Sequence, residues 1–306
     1  MSSKVTSLVF TFPLFTYAIE LVKDFIVSMM RTSPIPKHIG LIMDGNRRYA
    51  KSKDMELKDG HNAGADSLIQ VLNTCYKLGI LHVTVYAFSI ENFNRSKEEV
   101  DTLFALLRDR LKFISEKEES YARFNNIRIK IIGNRTMIPS DILKDLEDIE
   151  ERTKHVSSAK VLNVCFPYTS RDDIVHSIQS IAEKVESKEI ESNQHITLET
   201  LTNNMYMGPN TPPLDILIRT SGHTRLSDFM LWQCNYNCMI EFVDTLWPEF
   251  RSWDIMSIII KWSYYRTLQL EQQRIMSNKK REDQKAMTDI LKELPPHPPF
   301  ASITQH

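Results

Sequence analysis

The sequence predicts an α/β fold: a central, mostly parallel sheet of about six strands flanked by helices. Short apolar runs at about 39–43, 82–88, 127–132, 161–166, 214–218 and 239–243 alternate with helix-like stretches, the pattern of a parallel sheet wound through crossover helices. Three of those runs stop abruptly in polar clusters. They are Asp44-Gly45-Asn46-Arg47-Arg48, then Ser89-Ile90-Glu91-Asn92-Phe93-Asn94-Arg95, then Arg219-Thr220-Ser221-Gly222 with Arg225-Leu226-Ser227-Asp228. Ligands of open parallel sheets sit beyond the carboxyl ends of the strands, so one sheet can turn all three clusters toward one ligand. A chain of 306 residues, 42% hydrophobic and 25% charged, can bury the core such a sheet needs.

The elements follow in order. After Pro13, the residues Phe15, Ala18, Ile19, Val22, Phe25, Ile26, Met29 and Met30 recur at helical spacing, while Glu20, Lys23 and Asp24 occupy another face. Those charges interrupt the roughly 18 consecutive apolar residues that a crossing helix needs. The segment also has little basic n-region and no clear small-residue cleavage site. Residues 1–36 are therefore expected to lie on a membrane surface as an amphipathic segment, the plainer alternative being a helix that covers part of the domain. Ser33-Pro34-Ile35-Pro36 breaks the helix, and the catalytic domain is expected over 37–275.

Within that domain, Ser96-Lys97-Glu98-Glu99 is a capping-box pattern ahead of Val100, Leu103, Phe104, Leu106, Leu107 and Leu111. Ser140-Asp141 opens a helix carrying Ile142, Leu143, Leu146 and Ile149. Ser170-Arg171-Asp172-Asp173 opens another with Ile174, Ile178, Ile181 and Val185. Ser187 to Gln194 reads as a solvated loop and Trp253 to Leu270 as a helix. Residues 276–306, with Lys279-Lys280-Arg281-Glu282-Asp283-Gln284-Lys285 and Pro295-Pro296-His297-Pro298-Pro299, read as a polar, exposed tail.

A net charge of -1 argues against a general nucleic-acid binder, so any anion must be held by local arginines. The four cysteines, Cys75, Cys165, Cys234 and Cys238, form no disulfide framework, and Cys234 with Cys238 lacks a second pair for zinc. Asp44 is the first candidate for chemistry. A carboxylate at a strand end can bind Mg²⁺, and the glycine after it lets backbone amides approach a phosphate. Arg47 and Arg48 stand at a helix start, where amide donors and the helix dipole favour anions.

The run Met43-Asp44-Gly45-Asn46 is joined by Gly60-His61-x-Ala63-Gly64, Tyr86-Ala87-Phe88-Ser89-x-Glu91-Asn92-Phe93-Asn94-Arg95, Ile218-Arg219-Thr220 and Leu246-Trp247-Pro248. With these motifs in this order, residues 37 to 270 resemble the cis-prenyltransferases, the undecaprenyl and dehydrodolichyl diphosphate synthase family. The Arg219-to-Asp228 wording and the extended N-terminus resemble its eukaryotic, fungal branch. The resemblance implies condensation of farnesyl diphosphate with repeated isopentenyl diphosphate units into a long cis-polyprenyl diphosphate for dolichol synthesis and protein glycosylation, with Mg²⁺ as cofactor.

It also implies site residues. Asp44, Gly45, Asn46, Arg47, Arg48, Tyr49, His61 and Arg95 would surround the allylic diphosphate, with Asp44 positioning the metal. Arg219, Arg225 and Ser227 would hold isopentenyl diphosphate. Asn92 and Ser89 would stand near the proton that is lost, with Glu91 and Phe93 beside them; Asn92 can orient that step, but a neutral amide is a poor base. The Val100 to Leu111 face would wall an apolar tunnel for the growing chain.

The pattern departs from bacterial members in three places. The last glycine is Gly222, so the Arg-x-Gly ending of the bacterial homodimers is missing. The resemblance then implies a related accessory subunit that donates Arg-x-Gly in a heteromer. A bacterial arginine falls at Leu57, with Lys58 adjacent, and the bacterial histidine and glutamate metal positions fall near Thr224 and Met239; the neighbours His223 and Glu241 are not taken as ligands. A glycan on the Asn94 sequon would crowd Arg95, so the domain is expected to face the cytosol, on the endoplasmic reticulum or a lipid droplet.

Other classes lack their signatures. Asp172-Asp173 is not Asp-Asp-x-x-Asp, there is no P-loop, and Asp44-Gly45-Asn46 is not the Asp-x-Asp of an aspartyl-phosphate phosphatase. A catalytically silent, prenyltransferase-like scaffold is the remaining alternative. It would be free to lose Asp44, Arg48, Arg95, Arg219 and Arg225, and all are present.

Overall fold

The computed structural model describes residues 13–115, 121–154, 160–190 and 196–293. Six strands form one sheet in the order β3-β4-β2-β1-β5-β6: β1 (His38–Ile42), β2 (His82–Tyr86), β3 (Ile127–Ile132), β4 (Lys160–Cys165), β5 (Ile216–Arg219) and β6 (Met239–Phe242). Every pairing is parallel. The helices are α1 (Pro13–Met30), α2 (Asn46–Ser52), α3 (Leu57–Leu78), α4 (Lys97–Ser115), α5 (Tyr121–Phe124), α6 (Ser140–Lys154), α7 (Ser170–Glu186), α8 (Leu198–Asn203) and α9 (Ser252–Glu293).

Strand alternation sends Ile39, Leu41, Val83, Val85, Ile129, Ile131, Leu162, Val164, Ile216 and Ile218 to one face. There they bury against Val71, Leu72 and Cys75 of α3, Phe104 and Leu111 of α4, Leu146 and Ile149 of α6, and Ile255 and Ile259 of α9. The opposite face packs Ile42, Ile132, Cys165 and Leu217 under Tyr168, Met207, Leu214, Phe229 and Met230. Burial on both faces is why β1 and β5 read as nearly continuous apolar runs instead of alternating ones, while in β2 the buried His82 and Thr84 alternate with Val83 and Val85.

That second face also carries a polar line through the sheet. His38 Nδ1 lies 2.9 Å from the Pro212 carbonyl and its Nε2 2.7 Å from Thr84 Oγ1, which accepts a bond from Asn163 Nδ2 at 3.0 Å. This arrangement suits a neutral imidazole, with the Nδ1 proton on the carbonyl and the Thr84 hydroxyl donating to Nε2. Burial pushes His38 down from 6.5 to about 4, against the raising effect of the Pro212 bond and with help from His82. The unfolded chain therefore takes up the proton first as pH falls. Stability is full above about pH 6.5 and is lost between there and about pH 4, and a gap of that size is worth roughly 3 kcal/mol. Denaturation midpoints between pH 7.5 and 4.5 are expected to fall accordingly, and His38→Gln to flatten the fall. A pH-independent midpoint would contradict the assignment.

Some boundaries differ from the sequence expectation. The N-cap of α7 is Thr169, whose hydroxyl accepts from Asp172 N–H, so the helix begins at Ser170, one residue earlier than Ser170 as a cap would imply. The charged Lys279–Lys285 stretch continues α9 as exposed helix rather than forming an irregular tail, because Lys, Arg, Glu and Gln are good helix formers even where nothing packs on them. The proline cluster Pro295–Pro299 lies outside the described residues, as does the end of the Ser187–Gln194 loop. The chain divides into compact units of Met1–Trp262 and Ser263–His306, and α1 belongs to the first. Val27 and Met30 of α1 join the core, while Tyr17, Leu21, Val22, Phe25 and Met29 are exposed; the side chains of Phe15, Ala18 and Ile19 are outside the described set.

Candidate active site

The chain runs from β1 toward β2 on one side of the sheet and later crosses to β5 on the other, so β1 and β5 flank the topological switch point. Asp44 leaves β1 there and Arg219 ends β5. The Arg219 guanidinium, with only 4% of its side chain exposed, donates from Nη2 to Asp44 Oδ2 at 2.8 Å and from Nη1 to Ser227 Oγ at 2.7 Å and to the Arg225 carbonyl. Its Nε has no partner among the described residues. Burial alone would raise the Asp44 carboxyl, but the hydrogen bond and charge of Arg219 outweigh it and hold Asp44 below the usual carboxylate range.

The backbone holds Asp44 independently of its side chain. Thr220 Oγ1 accepts from Asp44 N–H at 3.0 Å and donates to Asp44 C=O at 2.7 Å, and Trp247 N–H donates to the same carbonyl at 3.0 Å. Gly45 follows at φ 113°, in the left-handed region that admits glycine, and caps α2. Arg48 Nη2 donates to the Ser221 carbonyl at 2.9 Å, turning α2 toward the Arg219 segment. Gly64 lets α3 approach this turn: a Cβ there would stand 2.4 Å from Asn46 Oδ1, a buried oxygen without a partner among the described residues.

From β2, Ser89 and Asn92 form a reciprocal cap. Asn92 Oδ1 accepts from Ser89 N–H at 3.0 Å, and Ser89 Oγ accepts from Glu91 N–H at 3.2 Å. Asn92 is thereby fixed in orientation. Arg95 pairs with Glu99 at 2.7 Å, and Arg47 approaches the same carboxylate at 3.8 Å. His61, on α3, is held below its ordinary value by burial and then by the charges of Arg95 and Arg47. It is neutral at physiological pH.

These side chains line one cavity of about 960 Å³ that includes Asp44, Gly45, Asn46, Arg47, Arg48, His61, Ser89, Glu91, Asn92, Arg95, Arg219, Arg225 and Ser227. Its remaining wall is largely apolar: Leu68 and Leu72 from α3, Leu103, Leu106, Leu107 and Leu111 from α4, and Leu162 and Val164 from β4. The site thus joins a cationic end suited to diphosphate to an apolar wall suited to hydrocarbon.

Two expected site residues do not face the cavity. Tyr49 is carried off the lining by the turn of α2 and sits under Lys53, while Phe93 packs into the core against Phe88 and Phe104. Arg110, Arg171, His223, Asp228 and Trp247 line the cavity and were not among the expected residues. Trp247 and Asp228 stood in quoted motifs and Arg171 in a quoted helix start, without a site role; the Trp247 indole donates to the Gly64 carbonyl at 2.8 Å. Glu241 is engaged through both oxygens by Lys261.

Residues 42–268 match a family profile described as "Putative undecaprenyl diphosphate synthase". The chain belongs to the undecaprenyl diphosphate synthase family of prenyltransferases. Within that family it is 41% identical to a dehydrodolichyl diphosphate synthase complex subunit of Saccharomyces cerevisiae, a match covering 87% of this chain and 77% of that protein. It is 38% identical to the corresponding complex subunit of Homo sapiens, over 89% and 82%. Among solved structures, lavandulyl diphosphate synthase from Lavandula x intermedia, in complex with dimethylallyl diphosphate, superposes with a TM-score of 0.67 at 28% identity, covering 75% of this chain and 95% of that one. A structure described as "a probable undecaprenyl diphosphate synthase" from Campylobacter jejuni gives 0.58 at 31% identity, with the same coverage.

Proposed function

We propose that this chain is the catalytic subunit of a cis-prenyltransferase that extends farnesyl diphosphate with isopentenyl diphosphate units to a long polyprenyl diphosphate, feeding dolichol synthesis and protein glycosylation. The observation that carries the reading is the cavity itself, in which Arg47, Arg48, Arg95, Arg219 and Arg225 gather at one end of a largely apolar wall. In each cycle the allylic C–O bond breaks and releases diphosphate, a C–C bond forms to the isopentenyl alkene, and one proton leaves the new chain for a diphosphate oxygen or water. Charge builds on the departing diphosphate, so arginines aimed at it stabilise the transition state more than the ground state. Asn92, fixed by its bond to Ser89, orients the proton-losing carbon. His61, neutral and near Arg95, can donate to a phosphate oxygen without adding charge.

The donor set suits Mg²⁺ in one specific way. Among the described residues no group of three or more His, Cys, Asp or Glu converges into a cage. Asp44 stands as an ionised carboxylate beside the proposed diphosphate site, and Mg²⁺ is commonly held by one or two carboxylates plus substrate phosphates. When bound there, the ion would neutralise diphosphate charge and favour its departure.

The relatives' description as complex subunits supports a heteromer, with an accessory subunit supplying the Arg-x-Gly that this sequence lacks. No described helix is long and apolar enough to cross a membrane. The exposed Tyr17, Leu21, Val22, Phe25 and Met29 of α1 suit a peripheral seat on the endoplasmic reticulum or a lipid droplet, with the catalytic domain in the cytosol. The deciding assay is Mg²⁺-dependent incorporation of labelled isopentenyl diphosphate onto farnesyl diphosphate, by this chain alone and with an Arg-x-Gly-bearing subunit. Long cis products only with the partner are expected. Equal activity alone would remove the partner from the proposal, and none in either case would leave the chain a silent scaffold.

A further inference from the structure

At the mouth of the cavity stands an arginine that the chemistry above does not use. Arg171 is the second residue of α7, just beyond the end of β4. Its backbone N–H donates to Asp228 Oδ1 at 3.2 Å and its Nε to Asp228 Oδ2 at 2.7 Å, while Nη2 donates to Glu91 Oε1 at 2.7 Å. Glu91 sits in the turn that carries Ser89 and Asn92, and Asp228 directly follows Ser227. One side chain therefore ties together two segments that both line the site.

This tie contributes little to holding the fold. Arg171 and Glu91 are 72% and 58% exposed, and ion pairs in solvent add little to stability; Asp228, 12% exposed, keeps the Arg171 backbone N–H as a donor when the side chain is changed. The Ser227 segment is pinned by other means: Ser170 N–H donates to Asp228 C=O at 2.7 Å, Leu231 N–H to Ser170 Oγ at 2.8 Å, and Tyr86 Oη to Ser227 C=O at 3.1 Å. Those bonds hold a backbone with Ser227, Asp228 and Met230 at φ 48°, 58° and 49°, a conformation that residues bearing a Cβ adopt only when their surroundings impose it. What Arg171 adds is the lateral spacing between that segment and the Glu91 turn. It also neutralises two carboxylates at an opening through which a polyanion must pass.

We propose that Arg171 is a positioning residue for the condensation, setting Ser227 against the Ser89–Asn92 turn and so the register of isopentenyl diphosphate against the allylic carbon. The inference rests on the prenyl-transfer reading. The allylic subsite, built from residues 44–48, His61 and Arg95, touches neither carboxylate directly, so the two substrates should respond differently.

The test compares wild type, R171Q, R171K and R171Q/D228N, as full chains with the accessory subunit. In R171Q the KM for isopentenyl diphosphate is expected to rise about tenfold and kcat to fall several-fold, the order of loss that a displaced reacting group causes. The KM for farnesyl diphosphate stays within about twofold and the melting temperature within about 2 °C. R171K, which can reach one carboxylate, recovers part of the loss, and the double variant is no worse than R171Q because the two residues act as one unit. Wild-type kinetics in R171Q would overturn the proposal, as would an equal loss for both substrates with a fall of several degrees in melting temperature. An inactive wild type would sink the functional reading instead. In that case calorimetric titration with isopentenyl diphosphate still decides the point: weaker binding by R171Q supports it and equal binding overturns it.

Discussion

Asp44→Ala is expected to abolish turnover, by a factor on the order of a thousand or more, while the chain keeps its fold. The separation of the two effects comes from how Asp44 is held. Its N–H and C=O are fixed by Thr220 and Trp247 through main-chain bonds that the substitution leaves in place. The side chain is one-third exposed, so truncating it opens no buried cavity. What is lost is an ionised oxygen pair at the switch point. Asp44→Asn isolates the charge, because an amide keeps the shape and can still accept from Arg219. Both variants should lose Mg²⁺-dependent incorporation; Asp44→Asn should melt near wild type, whereas Asp44→Ala, which leaves the buried Arg219 guanidinium without that acceptor, should lose ~2 kcal/mol of stability and remain folded. Undiminished Mg²⁺-dependent turnover in Asp44→Asn would remove the metal role from this carboxylate.

β1 and β5 were legible because they are buried on both faces and so read as short, nearly unbroken apolar runs, whereas β3 and β6 are partly exposed and keep an apolar–polar alternation. The lining of the cavity was legible for the same reason in reverse. Asp44, Asn92 and Arg219 follow such runs within a few residues, and a parallel sheet brings strand ends together whatever their separation in sequence. Local adjacency misleads where the backbone turns: Tyr49 and Phe93 stand beside functional residues, yet helix rotation carries the first off the cavity and the aromatic cluster takes the second. Arg171 was illegible for another reason. In Ser170-Arg171-Asp172-Asp173 it looks like part of a helix start, and its partners Glu91 and Asp228 are 80 and 57 residues away. The continuation of α9 was hidden because a charge run has the same composition as exposed helix and as irregular tail.

Arg219 offers the sharper test of how the site is wired, because one guanidinium serves two ends. Toward Asp44 it supplies charge; toward Ser227 and the Arg225 carbonyl it supplies directed donors. Arg219→Met removes both. Asp44 then keeps the burial that raises its pKa and loses the partner that lowered it, so the acid limb of the activity profile should move to higher pH. Turnover is expected to fall on the order of a thousandfold. Breaking a fully buried pair costs ~3–5 kcal/mol. Asp44 is partly solvated, so the loss of stability here should be nearer ~2 kcal/mol. Arg219→Lys separates the two functions. An ammonium keeps a positive charge near Asp44 and leaves the acid limb close to its wild-type place, but it lacks the planar fork that reaches Asp44 and Ser227 together. Its deficit should therefore concentrate in the KM for isopentenyl diphosphate. If the acid limb moves equally in both variants, the position of Asp44's titration is set by the fork's hydrogen bond and not by charge alone. If it moves in neither, Arg219 does not control Asp44.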